Sequence, residues 1–253
     1  MEYDESNNGS IPLLLIHGFL LDRTSWIAQL RGIKARTIAP DLCGFGKSPM
    51  VSRAVTIDTY AEDMRVVLDA LNIKNAVIAG LSMGGYITLA FYRKYPQYVR
   101  ALILANTKAG PDSAEGKKGR DDNAALVKAK GVPALAEKLM PKMLTPKTTR
   151  ERPEIAKSVG SMLSCQPVVG VVPALLAMRD RPDAMPALAQ ISVPTLIITG
   201  SEDILIPPQE AELMRDGIRG AKLVVIPGAA HLSNIDQPDA FNHAVNDFLK
   251  TIS

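Results

Sequence analysis

Short, unbroken apolar runs alternate along the chain with stretches in which apolar residues recur every three or four positions. The first run, Pro12-Leu13-Leu14-Leu15-Ile16, is closed by His17-Gly18, as expected of a strand buried on both faces. Residues 35–39, 76–79, 101–104, 195–199 and 223–226 read the same way, and most of them end at Gly, Pro, Asp or Asn. Between them the clearest helical stretch is 57–71, with Ile57, Tyr60, Ala61, Met64, Val67, Leu68 and Leu71 on one stripe and Thr56 as its cap. A second helix starts near Pro238 and places Phe241, Val245, Phe248, Leu249 and Ile252 on one face. Buried strands alternating with amphipathic helices predict an α/β fold with a doubly wound, mostly parallel sheet. In such a sheet, chemistry collects at the carboxyl ends of the strands.

The alternation breaks over residues 107–189, where helical segments are punctuated by prolines from Pro111 to Pro186. Strand signals resume at Val193, so the sheet continues beyond the break. The expected organisation is a core formed by 1–106 and 190–253, with 107–189 as a helical cap over the sheet edge.

At 253 residues the chain is long enough to bury a substantial core, and 47% hydrophobic with 22% charged residues is an ordinary globular balance. A formal charge of +3, with basic and acidic residues interspersed, makes nucleic acid an unexpected partner. No apolar run approaches bilayer-spanning length, and the polar start lacks a signal-peptide pattern, so the expectation is a cytoplasmic protein with no membrane partner. Cys43 and Cys165 lie far apart without metal or redox spacing and read as unpaired thiols. No metal site and no cofactor are expected.

Gly80-Leu81-Ser82-Met83-Gly84 follows one apolar run and leads into a helical stretch from Met83 to Lys94. This is G-x-S-x-G in a strand, turn, helix context, which places Ser82 on a sharp turn with its hydroxyl presented as a nucleophile. A hydroxyl needs a base, and the chain has three histidines. His243 lies inside the last helix among polar residues, and His17 closes the first strand. His231 stands in the loop after residues 223–226, where a strand-end base belongs. The acid that fixes the imidazole is best supplied by Asp203, since Gly200-Ser201-Glu202-Asp203 follows a strand and produces the chain order Ser, Asp, His. Glu202 is adjacent and spacing does not separate the two. Asp236 is a weaker third choice that reads more simply as a cap of the terminal helix. The oxyanion donors expected are the Met83 amide, directly after the nucleophile, and the Phe19 amide in the loop after the first strand.

These motifs resemble the α/β-hydrolase fold family, in particular its small carboxylesterases and enol-lactonase-like members. The resemblance rests on His17-Gly18-Phe19, then Asp41-Leu42-Cys43-Gly44-Phe45-Gly46-Lys47-Ser48, then residues 80–85, 200–203 and 228–232, and it covers about 12–252. It implies a cofactor-independent hydrolase with an acyl-enzyme intermediate, a helical cap, and Ser82, Asp203 and His231 at the matching motif positions. Members often begin with an antiparallel hairpin, whereas only eleven residues precede Pro12 here, so the N-terminal hairpin is expected to be trimmed.

The cap is rich in Leu, Val and Met, and Met140, Met143, Leu163 and Val169 are candidates to line an apolar substrate pocket. Arg120, Lys128 and Lys142 are the cap cations that could point inward. The expected substrate is a small, uncharged carboxylic ester, and the expected assembly a monomer or small homo-oligomer. An enol-lactonase, a carbon-carbon hydrolase or a perhydrolase would use the same three residues, and the fold also serves non-catalytic small-molecule receptors. A serine at position 82 speaks against dehalogenase chemistry, which requires a carboxylate there.

Overall fold

The computed structural model describes residues 1–252. Seven strands, β1 (Tyr3–Asn7), β2 (Pro12–Ile16), β3 (Arg36–Pro40), β4 (Ala76–Leu81), β5 (Val99–Ala105), β6 (Thr195–Gly200) and β7 (Lys222–Ile226), form one sheet in the order β1-β3-β2-β4-β5-β6-β7. All neighbours are parallel except β1, which runs antiparallel to β3. On the helical side, α1 (Ile27–Gly32), α2 (Ile57–Ala70) and α3 (Met83–Lys94) precede the long insertion after β5. The insertion carries α4 (Ala114–Lys130), α5 (Val132–Leu139), α6 (Pro146–Glu151), α7 (Pro153–Ser164) and α8 (Val168–Arg179). The chain closes with α9 (Pro208–Gly217), α10 (Ser233–Asp236) and α11 (Pro238–Lys250).

Every residue of β4 and β6 is buried, because helices cover both faces of the sheet centre. That is why these strands read as continuous apolar runs. α2 begins where its pattern predicts: Thr56 accepts from the Thr59 amide while the Thr59 side chain takes the Thr56 amide. Three of the prolines in the insertion, Pro133, Pro146 and Pro153, sit in the first turns of α5, α6 and α7, where a missing N–H costs no intrahelical bond. Pro173 lies inside α8. Among the described residues no single helix is long and apolar enough to cross a membrane; α7 and α8 reach that length and apolarity only together, and they are bent by 88° at the break between them.

The polar N-terminal segment, in which the apolar pattern marks no strand, forms β1. Its side chains alternate between exposed and half-buried, with Glu5 paired to Arg36, Asp4 to Arg23, and the Ser6 hydroxyl against that of Thr37. An edge strand facing water on one side needs no apolar run, so periodicity does not reveal it. The trimmed edge is as expected: β1 pairs with β3 and not with β2, so a single antiparallel strand stands in place of a hairpin.

Candidate functional site

The strand order reverses direction around β2, whose neighbours are β3 on one side and β4 on the other. A crevice therefore opens at the carboxyl ends of β2 and β4, where His17 and Ser82 lie. Ser82 holds φ 55° and ψ −114°, a left-handed conformation that costs a non-glycine residue about 1–3 kcal/mol. Its surroundings enforce that turn. The Ser82 amide donates to the Ala105 carbonyl at 2.9 Å, and the Ser82 carbonyl accepts from the Gly85 amide at 2.9 Å and from Thr107 Oγ1 at 2.8 Å. The flanking glycines are required by close approach: a Cβ on Gly80 would lie 2.1 Å from the Gly84 oxygen, and one on Gly84 2.2 Å from the Ile16 oxygen.

Ser82 Oγ lies 2.9 Å from His231 Nε2, and His231 Nδ1 lies 2.9 Å from Asp203 Oδ2. The three residues, dispersed over 149 positions of sequence, thus form one hydrogen-bonded line. Asp203 and His231 are almost completely buried. Glu202 is exposed, and of the two neighbouring acids it is Asp203 whose carboxylate faces His231. Asp203 Oδ1 accepts from the amides of Leu205 and Ile206, each at 2.9 Å, and Oδ2 also accepts from Asn106 Nδ2 at 2.9 Å. Burial works against ionisation of this carboxyl, but the His231 ring, the Ile206 amide and Asn106 outweigh it and hold it below its ordinary range.

The other two histidines separate cleanly. His243 is on the surface beside Asp247. His17 is fully buried, with Nδ1 donating to the Gly18 carbonyl at 2.8 Å and Nε2 accepting the Leu42 amide at 3.0 Å. It therefore locks the loop after β2 onto the loop after β3. Burial is the main cause that lowers its affinity for a proton.

The loop after β2 packs against the nucleophile, since a Cβ on Gly18 would meet Ser82 Cβ at 3.4 Å. The Phe19 amide follows in a turn closed by Leu21 N–H to the Gly18 carbonyl at 3.2 Å. The Met83 amide is the first of α3, one of the four that a helix leaves without an internal acceptor. The Met83 amide thus lies at the positive end of α3, directly after Ser82.

Asp236 does not cap the terminal helix. The residue at that position is Gln237, which makes no side-chain cap, while Asp236 is buried and accepts the amides of Ala230 at 2.7 Å and Thr145 at 3.2 Å. It ties the histidine loop to the inserted helices. Leu232 N–H adds a bond to the Met143 carbonyl at 2.9 Å.

The proposed pocket residues divide. Met143 is buried next to the histidine loop, Leu163 is completely buried, and Met140 is half-buried. Val169 is 62% exposed, so it does not wall a closed pocket: it stands on the outer side of the first turn of α8, while Gly170 beside it faces inward. Asn106 was not singled out by sequence reasoning. It is buried at the carboxyl end of β5 with φ 46°, and besides Asp203 it engages the Ala230 carbonyl at 3.2 Å and the Ser233 hydroxyl at 2.5 Å. An asparagine directly after a buried strand was the available signal. Cys43 and Cys165 are both unpaired.

Several known proteins share this arrangement of chain. A 3-oxoadipate enol-lactonase from Acinetobacter baylyi is 32% identical over 235 residues, 91% of this chain and 85% of its own. The structure of a thermophilic esterase from Thermogutta terrifontis superposes with a TM-score of 0.96 at 37% identity, covering 99% of this chain and 93% of that one. The enol-lactonase of Burkholderia xenovorans superposes with a TM-score of 0.91 at 27% identity, covering 98% and 96%. The sequence model of the alpha/beta hydrolase fold family matches residues 11–238. With seven strands in this order and that match over most of its length, the chain belongs to the α/β-hydrolase fold family.

Proposed function

We propose that the protein is a serine esterase that cleaves small, uncharged carboxylic esters through an acyl-enzyme. The observation that carries this reading is the line Ser82 Oγ, His231 Nε2, His231 Nδ1, Asp203 Oδ2, with both gaps at 2.9 Å. His231 Nε2 takes the Ser82 proton as Oγ bonds to the ester carbonyl carbon, and Asp203 fixes the tautomer and stabilises the imidazolium that forms. The carbonyl oxygen becomes an anion held by the amides of Phe19 and Met83, and loss of one such donor costs about a hundred- to a thousandfold in rate. The imidazolium returns its proton to the departing alcohol. A water deprotonated by His231 then attacks the acyl-enzyme, releasing the acid and restoring Ser82.

The helices over residues 107–189 act as the cap in this reading. Gln166 joins them to the core by accepting the Gly46 amide at 2.9 Å and donating to Asp22 at 3.3 Å. An uncharged substrate is favoured because, of the three cap cations singled out in the sequence, Arg120 pairs with Asp112 at 2.9 Å and Lys128 and Lys142 are exposed. Hydrolysis of an enol-lactone is a second reading, favoured by the 32% identity to the Acinetobacter baylyi lactonase over 91% of the chain. It uses the same steps, with the alcohol remaining tethered to the acyl group.

A fluorophosphonate probe tests the serine, and mass spectrometry should find one adduct, on Ser82. A panel of p-nitrophenyl esters from acetate to palmitate, run beside enol-lactones, tests the substrate. Turnover of acetate and butyrate is expected. Inert acetate and butyrate with rapid lactone turnover would replace the ester reading by the lactonase one, and absence of an adduct would reject both.

A further inference from the structure

A cleft of about 260 Å3 lies away from the line of Ser82, Asp203 and His231, where the chain leaves the core for α4 and returns after α8. Its apolar wall is formed by Leu89 and Ala90 of α3 with Leu188 and Ile191 of the returning segment, and Lys108 and Arg181 also line it. The two crossings of the chain are joined here. Ala184 N–H donates to the Ala109 carbonyl at 3.1 Å, and Arg181 donates to the Gly110 carbonyl at 2.8 Å and to Asp112 at 2.9 Å.

Arg181 is an unusual wall residue. It is only 6% exposed, its guanidinium lies 4.1 Å from the Tyr86 ring centroid, and its buried Nε has no hydrogen-bond acceptor among the described residues. Its two terminal nitrogens are taken by the Met178 and Gly110 carbonyls and by Asp112, so Arg181 contributes positive charge to the cleft wall while Lys108 has the more exposed donor. The charges around the cleft are also unbalanced. Asp112 is shared by Arg181 at 2.9 Å, Arg120 at 2.9 Å and Lys108 at 3.5 Å. Burial opposes its ionisation, yet Arg181 and Arg120 hold its carboxyl far below the ordinary range, so it is a full anion serving three cations. Lys108 also reaches the Pro111 carbonyl at 3.3 Å. Arg93 and Asp58, also on the cleft, pair with each other, and Asp183 is exposed and occupied by the Met185 amide at 2.9 Å. Among the charged residues that line the cleft itself, Arg93, Lys108 and Arg181 stand against Asp58 and Asp183, one positive charge in excess beside an apolar wall.

We propose that this cleft is a second ligand site, which takes a small amphipathic monocarboxylate with its apolar tail against Leu89, Leu188 and Ile191 and its carboxylate at Lys108 and Arg181. Its volume lies just under the roughly 300–1,000 Å3 of drug-sized sites, which suits a ligand of a few carbons. Such a ligand bridges both crossings of the chain and α3, the helix that begins next to Ser82.

Titration of hexanoate into 15N-labelled protein, with hexanol as the uncharged control, tests the site. Saturable shifts are expected at the amides of Arg93, Ala109 and Ala184 with hexanoate, and none there with hexanol. Lys108→Gln, a change at a partly exposed side chain, should weaken hexanoate about tenfold through loss of a charge-assisted hydrogen bond. Leu89→Trp should abolish binding by filling the cleft. The proposal is overturned by the absence of shifts, by shifts confined to Ser82 and His231, by an equal response to hexanol, or by unchanged affinity in the Lys108→Gln protein.

Discussion

Asn106 donates from Nδ2 to Asp203 Oδ2 across 2.9 Å, onto the same oxygen that faces His231 Nδ1. One carboxylate oxygen is thus fixed from two sides, and Asn106 also holds the histidine loop through the Ala230 carbonyl and the Ser233 hydroxyl. Because Asn106 has φ 46°, Asn106→Gly removes the side chain without straining the backbone, whereas Asn106→Ala adds strain as well. Asn106→Gly should lower kcat about ten- to a hundredfold, the value of a hydrogen bond to a charged group, with KM little changed. Steady-state kinetics on a p-nitrophenyl ester measures both. Unchanged kcat in a folded variant would remove Asn106 from the positioning of Asp203.

Asp203→Asn should cost about ten-thousandfold in kcat, because an amide in place of the carboxylate stabilises the wrong imidazole tautomer. Glu202→Gln alters an exposed side chain and should change the unfolding free energy by less than about 0.5 kcal/mol, with kcat near the parent value. Parallel kinetics on the two variants decides between the neighbouring acids, and a crippled Glu202→Gln with an active Asp203→Asn would reverse the assignment.

The seat of α8 on the core depends on two facing glycines. A Cβ on Gly170 would lie 1.9 Å from the Gly44 oxygen, and one on Gly44, which has φ 81°, would meet Gly170 Cα at 2.8 Å. Gly170→Ala must therefore push the helix away from the loop after β3, at a cost of about 1–3 kcal/mol. A lower urea midpoint at unchanged m-value is the expected result. Val169→Ala, one position away on an exposed side chain, should leave the midpoint almost where it was.

His17 makes stability depend on pH. Burial lowers its folded-state affinity for a proton, against the raising effects of the Gly18 carbonyl, Asp41 and Asp22. Below the unfolded value of about 6.5 the unfolded chain binds this proton while the folded chain does not, so stability is full above about pH 6.5 and falls as the pH drops towards the folded value. Urea midpoints at pH 7 and pH 5.5 should show the loss. His17→Gln should be less stable at pH 7 and should lose less between the two pH values, and an equal or greater loss in that variant would show that another group is responsible.

Much of this was legible before any coordinates. The buried runs at 12–16 and 76–79 and the helix from Met83 to Lys94 are local consequences of apolar residues that must leave water, and they appear as β2, within β4 and as α3. β1 escaped because an edge strand carries its specificity in backbone pairing and in ion pairs such as Glu5 with Arg36, neither of which leaves a periodic apolar signal. Asp236 was misread for a related reason. Its place before Pro238 looks like a helix cap, but its partners, Ala230 and Thr145, come from the histidine loop and from a segment 91 residues away.

By itself, the sequence determined the alternation of strands and helices, the sharp turn at Ser82 and the residue types available beside it, since each follows from local sterics, apolar burial or side-chain type. Only the tertiary structure decided which acid faces His231, that Asn106 shares its oxygen, that Val169 points to water, and where Lys108 and Arg181 meet an apolar cleft. Those are relations between residues far apart in the chain. Hydrogen bonds and close packing act over a few ångströms of space, so sequence distance leaves no record of them.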